Sequence, residues 1–312
     1  MDVHIAAIDY VLPDRSASLD DLAREGRLVS PPDVLRTFGF DRAWIAGTAE
    51  EAGRLAPCAV RRLLETASAD PASIDLLFYA GATPASHAAA DGLLGGFSYP
   101  AARLQYELGL VNARVIGVSQ TGCLGLMTAV SLGRAALVSD PGVRRVLCVS
   151  VDVLPPGSRR EILFNLISDG ACALLVERGA GPNRLVSSRQ VTKGYYWNCE
   201  ERASEIVAAY FPTARAIIRD TLAGAGLTGN DIGHLIPHNV SLRSWEILLQ
   251  LTGLPADKLF ADNIAAKAHV IGGDNFINLK DAQTEGRLRR GDRLLLFNFG
   301  FGASWSCLLL EH

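Results

Sequence analysis

Arg144-Arg145-Val146-Leu147-Cys148-Val149-Ser150-Val151, followed by Asp169-Gly170-Ala171-Cys172-Ala173-Leu174-Leu175, reads as a buried strand, a connection and a second buried strand. The same unit returns at the C-terminus. Asp292-Arg293-Leu294-Leu295-Leu296-Phe297-Asn298 is followed by Gly302-Ala303-Ser304-Trp305-Ser306-Cys307-Leu308. Short, almost wholly apolar runs of this kind suit strands covered on both faces. A second echo supports the first. A helical pattern leads through Ala69-Asp70-Pro71-Ala72-Ser73-Ile74-Asp75 into a strand that closes at Gly81. Another leads through Thr228-Gly229-Asn230-Asp231-Ile232 into a strand that closes at Asn239. Amphipathic stretches at Thr48 to Ala67 and Ala203 to Ala225 lie between strands, which argues for α/β layers. The repeat predicts two similar α/β halves packed into a five-layered αβαβα body. The turn-rich joint from Arg178 to Pro182 divides them into residues 1–178 and 179–312. An ordinary doubly wound sheet is the simpler alternative.

Composition excludes several classes. The chain has 312 residues, 49% of them apolar and 20% charged, so it can bury a large core and is not disordered. A net charge of −3 gives no basic footprint for nucleic acid. No charge-free apolar run reaches the length of a membrane span, and Met1-Asp2-Val3-His4 does not open a signal peptide. Six cysteines lie among apolar neighbours without the spacing of a disulfide framework or a zinc site. The expectation is a cytoplasmic protein with no metal, no membrane and no nucleic-acid partner.

Four segments carry chemistry. Ser119-Gln120-Thr121-Gly122-Cys123-Leu124-Gly125-Leu126 places a cysteine where a strand turns into an apolar helix. Unpaired N–H groups and the helix dipole there favour thiolate. A free cysteine is otherwise a small hydrophobe, which suits Cys148 and Cys172 inside strands. Leu235-Ile236-Pro237-His238-Asn239 puts a histidine just past a strand's carboxyl end, where ligands collect. A hydrogen-bonded loop histidine is the plainer reading, and His234 inside the strand reads as structural. Ala268-His269-Val270-Ile271-Gly272-Gly273-Asp274 pairs a histidine with a carboxylate that two glycines let fold back. Such a carboxylate fixes the tautomer and raises the basicity of the other ring nitrogen. Asp274 could equally cap a helix beginning at Asn275. Asn298-Phe299-Gly300-Phe301-Gly302 is a glycine turn whose N–H groups can face an oxyanion, or merely a hairpin of small residues.

Together, in this order, these segments resemble the thiolase superfamily, specifically ketosynthase III-like enzymes, over nearly the whole chain. Gly122-Cys123 looks like the family's acyl-accepting cysteine. Pro237-His238-Asn239-Val240-Ser241-Leu242-Arg243 is similar to its P-H-Q-A-N-x-R, and Glu285-Gly286-Arg287-Leu288 through Trp305 to its D-G-R-I and F-G-G-G-x-x-W. The resemblance implies a homodimer with the thiolase fold. It implies covalent acyl transfer from a carrier thioester, whose phosphopantetheine arm is substrate and not cofactor. It places Arg243 near the mouth where that arm or its carrier docks. It also gives the oxyanion hole to backbone N–H groups of Cys123, Phe301 and Gly302.

Three departures qualify the resemblance. The family's G-N-T-S-A-A-S segment, counted back from Glu285-Gly286-Arg287, is replaced here, and His269 stands at its Asn. Condensing enzymes use His and Asn as two donors to an enolate, whereas a His with an Asp partner is a better general base. This change resembles the ketosynthase III-like acyltransferases of antibiotic and polyketide pathways. The segment Asp33 to Phe40 lacks the tryptophan that stacks on CoA adenine, which favours an acyl carrier protein over acyl-CoA as donor. Phe301 interrupts the glycine run.

The expected enzyme therefore acylates Cys123 and passes the acyl group to a hydroxyl, an amine or a second carrier in secondary-metabolite biosynthesis. His269 and Asp274 deprotonate the small-molecule acceptor, and His238 serves as donor or thiolate partner. The alternatives are a decarboxylative β-ketoacyl-ACP synthase III and a catalytically silent partner subunit.

Overall fold

The computed structural model describes residues 2–82 and 99–312. Its strands are β1 (Val3–Val11), β2 (Leu76–Ala80), β3 (Arg114–Val118), β4 (Arg145–Asp152), β5 (Gly170–Arg178), β6 (Arg184–Thr192), β7 (His234–Ile236), β8 (Arg293–Gly300) and β9 (Ser304–Glu311). The main helices are α1 (Ala49–Thr66), α2 (Pro100–Glu107), α3 (Gly125–Ser139), α4 (Ala203–Gly224), α5 (Leu242–Thr252) and α6 (Asp274–Thr284).

The duplication is visible in strand order. The first half runs β1-β5-β4-β2-β3, with β1, β5 and β4 antiparallel and β4, β2 and β3 parallel. The second runs β6-β9-β8-β7 with the same directions. Its counterpart of β3 has shrunk to one parallel bridge between Leu235 and Leu259. The registers echo too: Arg145 faces Glu177 across β4 and β5, and Arg293 faces Glu311 across β8 and β9. β1 and β6 join the halves through His4 and Arg184, which makes one nine-stranded ladder.

Alternation along each strand builds the layers, because successive side chains leave opposite faces. Val146, Cys148, Leu174 and Val176 of the first half and Leu294, Leu296, Leu308 and Leu310 of the second share one core with Leu126, Met127 and Val130 of α3 and Phe276 and Ile277 of α6. The intervening residues point outward. Leu147, Val149, Ala173 and Leu175 meet Leu55, Val60 and Leu63 of α1. Leu295, Phe297, Cys307 and Leu309 meet Ile217 and Ile218 of α4 and Trp245 and Leu248 of α5. The order of layers is therefore outer helices, sheet, α3 with α6, sheet, outer helices. The stretch Gly122–Ser139 is long and apolar enough by composition to cross a membrane. In this fold it supplies the middle layer, and its apolar residues pack against both halves.

Two elements differ from the sequence expectation. β6 carries too many polar residues to read as a buried strand, and much of it is half-exposed or exposed. The connection from Pro155 to Asp169 holds a small hairpin, Glu161–Ile162 with Asn165–Leu166. At its ends Arg160 and Asp169, 1% and 0% exposed, form a bidentate pair. Asp169 also accepts N–H bonds from Ala46 and Leu154, each at 2.9 Å. The pair anchors Leu166 to Ser168, whose backbone runs beside His269. His269 N donates to Leu166 O, and Ser168 N to His269 O, at 2.9 Å each.

Removing one member of a buried ion pair leaves an uncompensated charge, at a cost of about 3–5 kcal/mol. Arg160→Ala should therefore lower the unfolding free energy in urea by about that much. A loss below about 1 kcal/mol would contradict this account of the connection.

Candidate active site

Cys123 sits in a tight turn, Gly122–Leu124, directly ahead of α3. The turn needs glycine on both sides of a close backbone approach. Gly122 has φ +52, and a Cβ there would lie 2.8 Å from the Phe301 carbonyl oxygen. A Cβ on Gly300 would lie 2.4 Å from Thr121 O and 2.8 Å from Cys123 N. The glycine turn after β8 is thus pressed against the cysteine turn. Asn298 of β8 clamps the two by donating to Cys123 O at 3.1 Å and to Asn275 Oδ1 at 2.9 Å.

His269 comes to the cysteine from the second half of the chain. Its Nε2 is 3.3 Å from Cys123 Sγ, and its Nδ1 donates to Asp274 Oδ2 at 2.5 Å. The carboxylate is completely buried and takes two more donors, Asn239 N and Val270 N, each at 2.6 Å. Asp274 is the first residue of α6, but its side chain turns back to His269 and Val270, and no side chain caps that helix. The backbone around His269 is unusual. Ala268 and Ile271 have φ of +54 and +45, a region β-branched residues rarely enter and one that clusters at functional sites.

The two histidines are driven in opposite directions. Burial alone would press His269 down. The Asp274 carboxylate and the Cys123 sulfur facing it outweigh burial and hold the imidazole well above its ordinary value. His238 is pushed well below its ordinary value by burial and by the neighbouring His269. The rings stand 6.1 Å apart, centre to centre. The surroundings thus favour the protonated ring of His269 against the Cys123 sulfur and the neutral ring of His238 beside it.

His238 is fixed among Trp245 and Phe297, ring centres 5.9 and 5.8 Å away, and its carbonyl accepts from Trp245 Nε1 at 3.0 Å. Its Nε2 lies 3.3 Å from the Tyr210 hydroxyl. This corrects the expectation that His238 could partner the thiolate: that position belongs to His269. Arg243 is not brought into this cluster. It stands on the exposed first turn of α5 and pairs with Glu246 at 2.8 Å. His234 on β7 pairs with Asp292 at 3.3 Å, away from the cluster. Among the described residues no group of three or more His, Cys, Asp or Glu side chains could hold a metal.

Sequence reasoning missed Tyr210 and the buried asparagines. Asn275 donates to Ile236 O and Phe297 O, and Asn278 to Pro237 O and Asn239 Oδ1, at 2.8–3.0 Å. These bonds hold the ends of β7 and β8 against α6. The available signal was the pair of amides three apart on one helical face, followed by a third in the strand at Asn298.

Asp274→Asn should let His269 lose its proton nearer the ordinary histidine value of about 6.5. The imidazolium, and with it the ion pair, would then be lost as pH rises through a lower value than in the wild type. Alkylation of Cys123 by iodoacetamide at pH 7.5 should slow about tenfold per unit of lowered His269 pKa. The gap should close toward pH 5, where His269 is protonated in both proteins. Equal rates at pH 7.5 would contradict the pairing.

Known proteins resemble this chain in sequence and in fold. Residues 222–312 match the family model of 3-oxoacyl-[acyl-carrier-protein (ACP)] synthase III, C-terminal part. The β-ketoacyl-[acyl-carrier-protein] synthase III of Methylococcus capsulatus is 26% identical, covering 99% of this chain and 98% of its own. The crystal structure of 3-oxoacyl-[acyl-carrier-protein] synthase III from Aquifex aeolicus superposes with a TM-score of 0.86 at 21% identity, over 99% of this chain and all of its own. The acyltransferase ChlB3 superposes with a TM-score of 0.85 at 22% identity, over 100% of this chain and 98% of its own. In its duplicated five-layered fold, in the cysteine at the mouth of its central helix and in sequence along the whole chain, this protein is similar to the ketosynthase III-like enzymes of the thiolase superfamily.

Proposed function

We propose that the chain is an acyltransferase of ketosynthase III type, which moves an acyl group from a carrier thioester through Cys123 to a hydroxyl, amine or second carrier thiol. The observation that carries this reading is the unbroken chain Cys123–His269–Asp274, in which a buried carboxylate orients a base against the nucleophile.

In the first half-reaction the Cys123 thiolate attacks the thioester carbon. The oxyanion forms between the N–H of Cys123 and the N–H groups of the Phe301–Gly302 turn. As the carbon–sulfur bond to the carrier breaks, His269 gives its proton to the departing phosphopantetheine thiolate. Acylation has now removed the sulfur's charge, one of the influences that raise His269. The ring is left as a neutral base with Asp274 still behind it. In the second half-reaction it takes the proton of the acceptor, the acceptor atom bonds to the acyl carbon, and Cys123 departs as thiolate.

A carrier-protein donor is supported by the names of the relatives, which specify acyl carrier protein. Docking at Arg243 belongs to the same proposal and is supported by its exposure on α5. A homodimer is supported by β3, an edge strand whose Ile116 is 45% exposed. Free cysteines throughout are consistent with a cytoplasmic setting, and the pathway proposed is one of secondary metabolism.

The second reading is decarboxylative condensation, and the relatives' names favour it: those compared along their full length are β-ketoacyl-[acyl-carrier-protein] synthases III. A silent partner subunit has no use for a complete Cys–His–Asp chain.

The two active readings part in one experiment. Acylated protein is given malonyl carrier, and separately hydroxyl and amine acceptors, while carbon dioxide and product are measured. The transfer reading expects product without carbon dioxide. Stoichiometric carbon dioxide with a β-keto product would establish condensation instead. Because His269 touches the sulfur, His269→Ala should slow both acylation and release by about 10²–10⁴-fold.

A further inference from the structure

Tyr210 is a group the mechanism above does not use. It lies on α4 with its ring edge-on to Phe211, Phe297 and Phe299, centres 5.0, 6.3 and 5.4 Å away. Its hydroxyl stands 3.3 Å from His238 Nε2. His238 is completely buried, and its other nitrogen, Nδ1, has no hydrogen-bond partner among the described residues. A neutral imidazole has one N–H and one lone pair. Whichever of the two His238 turns toward Tyr210, the nitrogen on that side is already engaged. A condensing site needs the imidazole at this position free to donate to a substrate oxygen. Here a phenol from another helix occupies it.

We propose that Tyr210 is a positioning residue of the acyl-release step: its hydroxyl holds His238 Nε2, so that His238 acts as one half of a Tyr210–His238 pair and not as an independent donor. This rests on the transfer reading and deepens it, since it gives a reason why the second donor of a condensing site is withdrawn. Burial raises the Tyr210 hydroxyl far above its ordinary value, so it stays protonated throughout the working range. The aromatic packing fixes the ring independently of the hydroxyl, so Tyr210→Phe removes the bond and leaves the shape.

The test is a cycle of four proteins: wild type, Tyr210→Phe, His238→Ala and the double variant. Intact mass follows Cys123 acylation and then release to a hydroxyl or amine acceptor, each in a single turnover. Tyr210→Phe should leave acylation within about twofold and slow release roughly three- to tenfold, the scale of one hydrogen bond. In the His238→Ala background it should change release no further. A loss of the same factor with and without His238 would overturn the proposal, as would equal slowing of acylation and release. A spectroscopic readout supplements the cycle. Nitrogen-15 spectra should show His238 Nε2 shifting in Tyr210→Phe while His269 stays in place, and an unmoved His238 signal would also overturn the proposal. Failure of the underlying reading is separately visible. If acyl release occurs only with malonyl carrier and evolves carbon dioxide, transfer is wrong, and the same cycle run on that release still decides whether Tyr210 works through His238.

Discussion

The site depends on one buried carboxylate. Asp274 is closed off from solvent and accepts three donors, from His269 Nδ1, Asn239 N and Val270 N. Each ties a different piece of chain to the start of α6: the histidine itself, the segment after β7 and the strained backbone beyond Ala268. A carboxylate buried this deeply is tolerable only because it is so fully bonded. Its charge is then available to a single ring. Everything said above of His269 follows from that: the tautomer, the orientation toward sulfur, and the proton it holds against burial.

Two histidines that stand close together are thereby given different work. His269 faces a carboxylate and a sulfur that favour its charged, doubly protonated ring, whereas His238 faces aromatic rings and a phenol that favour the neutral one. Pairs of titratable groups whose surroundings push them apart are how one fold divides acid and base roles. The sheet contributes the precision. β7 and β8 run beside α6, Asn275 bonds the carbonyls of Ile236 and Phe297, and Asn298 ties the segment before the glycine turn to Cys123 O.

Much of this is legible in the amino-acid sequence. The repeated strand–turn–strand units gave the duplicated halves, because a strand buried on both faces must be apolar almost throughout. β6 escaped because half of it faces solvent, where no such pattern is imposed. Cys123, His238, His269 and Asp274 were each recognisable, and Asp274 could be joined to His269 because they lie five residues apart with glycines between. Which histidine reaches the sulfur was not legible. Cys123 and His269 are separated by 146 positions, and only the packing of α3 against the second half brings them together. Tyr210 was hidden for the same reason: on α4 it reads as one more apolar position of an amphipathic helix, and its hydroxyl gains meaning only from the ring it meets.

The central claim is that His269 is an imidazolium paired with the Cys123 thiolate in the unloaded protein and becomes a neutral base once the sulfur is acylated. Nitrogen-15 spectra of the His269 ring, recorded against pH before and after Cys123 is loaded with a stable acyl analogue, measure this directly. The account predicts a protonated ring at pH 8 in the unloaded protein, well above the ordinary histidine range of about 6.5, and a titration displaced to lower pH after loading. A ring already neutral at pH 8 in the unloaded protein, or a titration that loading does not move, would contradict it.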